Sequence, residues 1–300
     1  MYLEFKDEML IPSINGEVYY QIYEIENWYR RICLTAYMKE FGAEWMSYVP
    51  TQILNTFKSR SKKSEELFYL DLDADDNLIW TATQGELKTL LLEDAIAHQI
   101  KALTGFSKST LSQKLDELKE IRNILAHNRA LTNTAITIVT GIIVSLMQGV
   151  KHFKNRVLYA DLKSGDELTD KVFSYFNEKM ERNDWGKFQA VAFMKGDIYE
   201  LACWPGPNQD SNGTYPSASK LLEIYKDVLD NILAIAINKR GDEYTVLFTQ
   251  KINDGAIKRI INLFIKVPDI WTQTSFEEQN PKFVCNPKIW FYEHQRSIEE

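Results

Sequence analysis

The residues best suited to chemistry in this chain stand in one stretch, Glu120-Ile121-Arg122-Asn123-Ile124-Leu125-Ala126-His127-Asn128-Arg129. Histidine gains and loses a proton near neutral pH, and arginine presents a permanently charged planar fork that grips two phosphate oxygens. RNA cleavage uses both. A base takes the proton of a 2′-hydroxyl, the oxygen attacks the neighbouring phosphorus, and a cation meets the added negative charge of the pentavalent phosphorane. Those steps require no metal and no cofactor. Arg122 and His127 are therefore the candidate catalytic pair with Asn123 beside them, and Asn128 and Arg129 are candidates for holding RNA. The same residues have a structural alternative, in which Arg122 and His127 cap carbonyls at a helix end and pair with Glu120 or Glu117.

Helix geometry limits what one copy of the motif does alone. At about 100° per residue, Asn123 and His127 lie about 40° apart on one stripe, whereas Arg122 and His127 are about 140° apart.

The stretch resembles the signature of the HEPN superfamily, an arginine, four to six residues of which the first is polar, then a histidine; Asn123 fills the polar place. The resemblance covers roughly Glu17 to Lys154, and Glu26-Asn27-Trp28-Tyr29-Arg30 and Phe41-Gly42-Ala43-Glu44-Trp45 are similar to the first helix and its exit in some HEPN branches. It implies a bundle of four or five helices and a metal-independent endoribonuclease of the toxin or phage-defence type. It also implies a composite site made by two motif helices. Because one motif occurs here, that means a homodimer, with a neutralising partner or an activating ligand as a further expectation. Other family members are inactive binding modules, so the alternative is a silent scaffold for RNA, a nucleotide or a partner protein. Members modified on a tyrosine two places after the histidine are a poorer match, since Arg129 stands there.

The elements that must carry the motif are legible from hydrophobic period. Leu111, Leu115, Leu118, Ile121 and Leu125 follow three- and four-residue steps and place one apolar stripe on a long helix running into Arg122 to His127. Upstream, Ile22, Ile25, Tyr29, Ile32, Ala36 and Tyr37 predict an amphipathic helix that stops near Gly42. A short helix from Trp45 to Phe57 is expected to run into a solvated loop at Lys58 to Lys63, which could track an RNA backbone. Thr83 and Glu86 have capping-box spacing for a helix reaching about Leu103. Another starts near Thr132 or Asn133, carries the apolar run Ala135 to Met147 and ends in Lys151, His152, Lys154 and Arg156, cations that suit a helix C-terminus. That run is shorter than the roughly 20 residues of a membrane span and predicts a buried core helix.

Residues 1–156 thus read as a helical bundle and 157–300 as a smaller α+β domain of regulatory, sensing or target-binding role. In the latter, Phe188 to Trp204 predicts a hairpin turning at Lys195-Gly196-Asp197, and Ser217 to Asp230 and Ala256 to Ile265 predict helices. Ile232 to Ile237 and Tyr244 to Phe248 form a second hairpin, unless the first run extends the preceding helix. The segment from Trp204-Pro205-Gly206-Pro207 to Tyr215-Pro216 reads as an exposed loop.

Composition sets the outer bounds. Three hundred residues, 45% hydrophobic and 12% aromatic, suffice for a core and about two domains. The three cysteines, Cys33, Cys203 and Cys285, form no paired motif, which with an N-terminus lacking a basic-then-apolar order predicts a cytoplasmic protein without a membrane anchor. A net charge of −7 excludes coating of nucleic acid by bulk electrostatics and leaves only a local site. Asp71, Asp73 and Asp75 imitate the start of a calcium loop, but Asp76 and Ala82 stand where glycine and glutamate belong. His98, His152 and His294 lack metal-ligand spacing, with His98 expected to pair with Asp94 one helical turn away.

Overall fold

A computed structural model describes residues 13–66, 79–127, 130–157, 171–181, 188–195, 197–205, 218–238, 243–267 and 288–292. The chain divides into two compact units, residues 1–36 with 49–158, and residues 37–48 with 159–300.

The first unit is helical. It contains most of α1 (Ser13–Phe41), then α2 (Thr51–Glu66), α3 (Gln84–Leu91), α4 (Ala97–Thr104), α5 (Lys108–Ala126) and α6 (Asn133–Val157). On α1, Ile22, Ile25, Tyr29 and Ile32 are fully buried, as their spacing requires. Thr83 caps α3 through the reciprocal contacts of a capping box with Glu86. Ser107 caps α5, whose stripe of Leu111, Leu115, Leu118, Ile121 and Leu125 is buried along its whole length.

Three expectations are corrected here. The helix begun at Thr83 does not reach Leu103; it stops at Leu91, and after a 3-10 turn at Asp94–Ile96 the chain restarts as α4. Leu87, Leu90 and Leu91 are buried before the break, and Ile96, Ile100 and Leu103 after it. On one straight helix these two groups would sit about 180° apart, so the break brings both to the core. Lys58 to Lys63 are helical within α2 rather than a loop. Arg60 there donates to the Thr81 carbonyl at 2.7 Å and pairs with Glu86, while Trp45 falls in a separate 3-10 helix, Gly42–Tyr48, ahead of Pro50. A residue preceding proline is disfavoured in the helical region, which accounts for the interruption. Finally, α6 extends the Ala135 to Met147 run through Val150 and Phe153 to Val157, and among the described helices it alone is long and apolar enough to cross a membrane by length and composition. Only one face is core: Val139, Leu146 and Phe153 are buried, while Ile138 and Val144 are exposed.

The second unit is an α+β layer. Its sheet has the order β1-β2-β4-β3-β5, with β1 (Phe188–Lys195), β2 (Ile198–Pro205), β3 (Ala234–Asn238), β4 (Tyr244–Thr249) and β5 (Ile289–Tyr292). Both expected hairpins are present, Lys195 pairing with Ile198 and Ile237 with Tyr244; β5 joins parallel to β3. Every residue of β3 and β4 is buried, the pattern of strands covered on both faces. Helices α7 (Lys171–Glu181), α8 (Ala218–Tyr225) and α9 (Asp254–Lys266) pack their apolar stripes into the same core. The last turn of α1 belongs here too: the Met38 carbonyl accepts from Thr249 Oγ1 at 3.3 Å, and Lys39 pairs with Asp197 at 3.1 Å. Gly42 ends that helix at φ +66°, and a Cβ there would lie 2.2 Å from the Lys251 carbonyl oxygen, so only glycine fits.

Candidate functional site

Arg122 sits in the last turns of α5, held in place because Ile121 and Leu125 on either side anchor that turn in the core. Its Nε lies 3.1 Å from Oε1 of Glu26 on α1, within the first unit. The N–H is not aimed at the oxygen, so the contact is an ion pair rather than a hydrogen bond. The Glu26 side chain is 10% exposed and that of Arg122 39%, which places the pair at the rim of the core.

Arg30, one turn further along α1, lies 4.0 Å from the other Glu26 oxygen. It donates from Nη2 to the Ala82 carbonyl at 2.6 Å and from Nε to the Trp80 carbonyl at 3.3 Å, with its guanidinium over the Trp80 ring. Burial pulls the Arg30 pKa below its ordinary value, Glu26 opposes that shift, and repulsion from Arg122 adds to it. Among the described residues, two guanidinium groups share this one carboxylate, which leaves one positive charge over. A phosphate is the kind of group that would meet it.

His127 is the C-cap of α5, with φ −93° and ψ 17°, and its backbone N–H donates to the Asn123 carbonyl at 3.2 Å. Its imidazole is exposed, as is the Asn123 side chain. Among the described residues no hydrogen bond or ion pair joins Arg122 to His127: the arginine is paired with α1, and the histidine stands in solvent at the helix end. Asn128 and Arg129 lie outside the described residues.

The structural alternative for Arg122 is corrected in its partner, which is Glu26 and neither Glu120 nor Glu117; Glu117 instead accepts from Gln113 Nε2 at 3.0 Å. Sequence reasoning quoted Glu26 and Arg30 for their likeness to a first helix and did not assign them to the site. The available signal was a Glu-x3-Arg pair on the edge of a stripe that must be buried, since a buried charge needs a partner. A second tie follows the motif: the backbone N–H of Leu131 donates to Asn15 Oδ1 at 3.4 Å.

The remaining candidates carry less. His152 Nε2 and Arg156 Nη1 both reach the Ala102 carbonyl, and Asp94 pairs with Lys108. Among the described residues no group of three metal-binding side chains occurs, and the Asp71 to Asp76 segment, the Gly206 to Pro216 loop and His294 lie outside them. In the second unit, Ser174, Tyr175, Glu178, Asp254, Ile257 and Lys258 line an open cleft of about 290 Å³ between α7 and α9. No family model, curated protein or solved structure matches this chain.

Proposed function

We propose that this chain is a metal-independent endoribonuclease of HEPN type, acting as a toxin or defence effector in the cytoplasm. The observation that carries the reading is the Glu26–Arg30–Arg122 cluster with its net positive charge, within the same helical unit as an exposed imidazole at His127. In this mechanism His127 takes the proton of a 2′-hydroxyl, the oxygen bonds to phosphorus, and the bond to the 5′-oxygen breaks as that oxygen acquires a proton. Arg122 neutralises the phosphorane. Because Arg122 is turned to α1, the histidine that completes its site comes from a second copy of the chain. The α+β unit then serves to sense a ligand or a neutralising partner, a role resting on its having a separate core and a cleft of its own.

A second reading has its own support. The ion pair to Glu26 diminishes the charge Arg122 offers to phosphate, as in a catalytically silent scaffold that binds RNA, a nucleotide or a partner protein. The products separate the two. Purified protein incubated with RNA in EDTA should leave 2′,3′-cyclic phosphate and 5′-hydroxyl ends, and DNA and 2′-O-methyl RNA should stay intact. Loss of activity on chelation, or 5′-phosphate ends, would exclude this mechanism; no cleavage at all would leave the scaffold.

A further inference from the structure

Among the described residues the large apolar side chains left exposed include three tyrosines in one segment of α1, Tyr19 at 51%, Tyr20 at 67% and Tyr23 at 45%. Exposed aromatics grouped on one helix are unusual in a soluble core-forming element and point to something that covers them. At about 100° per residue, Tyr19, Tyr23, Glu26 and Arg30 fall within about 60° of one another, whereas Tyr20 is turned about 100° from Tyr19. Tyr19 and Tyr23 therefore continue the stripe that carries the arginine-binding carboxylate.

Two contacts locate the motif against this stripe. Arg122 meets α1 at Glu26, and Leu131 meets it at Asn15. The two contacts fall about 16 Å apart along α1, and the tyrosines of the stripe lie between them.

We infer that Tyr19 and Tyr23 form a stacking platform for the bases of single-stranded RNA, next to the phosphate-binding cluster. This inference rests on the nuclease reading for the chemistry that follows binding. A cation cluster bordered by flat, exposed aromatic faces matches a single strand, whose charged backbone and unstacked bases alternate at the spacing of one nucleotide. A duplex keeps its bases stacked inside and has no face to give the tyrosines.

The test is fluorescence anisotropy with a labelled 2′-O-methyl oligouridine, which binds without being cut. Tyr19→Ala and Tyr23→Ala should each weaken binding about tenfold, while the phenylalanine variants, which keep the ring, and Tyr20→Ala bind as wild type. An RNA duplex of equal length should not compete. The platform falls if the alanine variants bind normally, if Tyr20→Ala costs as much as the other two, if duplex competes equally, or if wild type does not bind the probe. It falls equally if Tyr19→Ala or Tyr23→Ala dissociates a dimer, since the patch would then be a protein contact. Cleavage of unmodified RNA is scored separately: cleavage with unaltered alanine variants overturns only the platform, and tyrosine-dependent binding without cleavage upholds the platform and overturns only the nuclease.

Discussion

Oε1 of Glu26, a residue buried in the first helix, stands 3.1 Å from Nε of Arg122 near the end of the fifth. The carboxylate neutralises part of two guanidinium charges and sets where Arg122 is held. Its role is positional, since it also lies 4.0 Å from Arg30.

Glu26→Gln should therefore lower RNA cleavage about tenfold, and in combination with Arg122→Lys the losses should be less than additive, because both act on one guanidinium. His127→Ala should cost about 10²- to 10⁴-fold in rate, the usual worth of a positioned acid or base. Its exposure predicts an unchanged melting temperature, whereas Arg122→Ala, which leaves the buried Glu26 carboxylate with Arg30 alone, should destabilise the fold by about 1–2 kcal/mol. Rate and melting temperature measured on each variant check both; a His127→Ala protein of normal rate would remove it from the mechanism.

On the proposed mechanism, the separate settings of Arg122 and His127 call for two copies to close the site. Light scattering at working concentration should show a dimer. A mixture of Arg122→Ala and His127→Ala proteins should regain part of the activity that each lacks, because one of the two composite sites in a mixed dimer is intact. A fully active monomer would refute this arrangement.

Lys288, just ahead of β5, is buried and donates to the Ile232 carbonyl, and burial lowers its pKa to about 8, with Asp230 opposing the shift. The unfolded chain holds that proton more tightly than the folded one, so from about pH 8 to 10.5 stability rises with pH through this group. Below that window the buried charge costs about 3 kcal/mol. Compared with Lys288→Met by urea unfolding, wild type should gain about 2–3 kcal/mol in relative stability between pH 7 and pH 10. A pH-independent difference would show that the ammonium is not buried as described.

Gly42→Ala should destabilise the second unit by about 2–4 kcal/mol, since the residue needs a left-handed backbone and the new methyl would enter the Lys251 carbonyl. Circular dichroism melting would reveal it, and Gly85→Ala, where nothing lies within 4 Å, is the control.

What the sequence by itself determined are the features written in local spacing. The α5 stripe, the capping box at Thr83, the stop at Gly42 and both hairpins depend on neighbours within a few residues, and each is where its pattern put it. The motif residues Arg122, Asn123 and His127 could be named for the same reason, as residue types on one helix end. Tertiary structure decided the rest. That Arg122 pairs with Glu26 rather than Glu120, that β5 adds in parallel to β3, and that the helix begun at Thr83 breaks before Asp94 all depend on long-range packing. Local periodicity records which face of an element is apolar; it contains no term for which distant element will cover that face, and the partner of a rim charge is chosen only once the two surfaces meet.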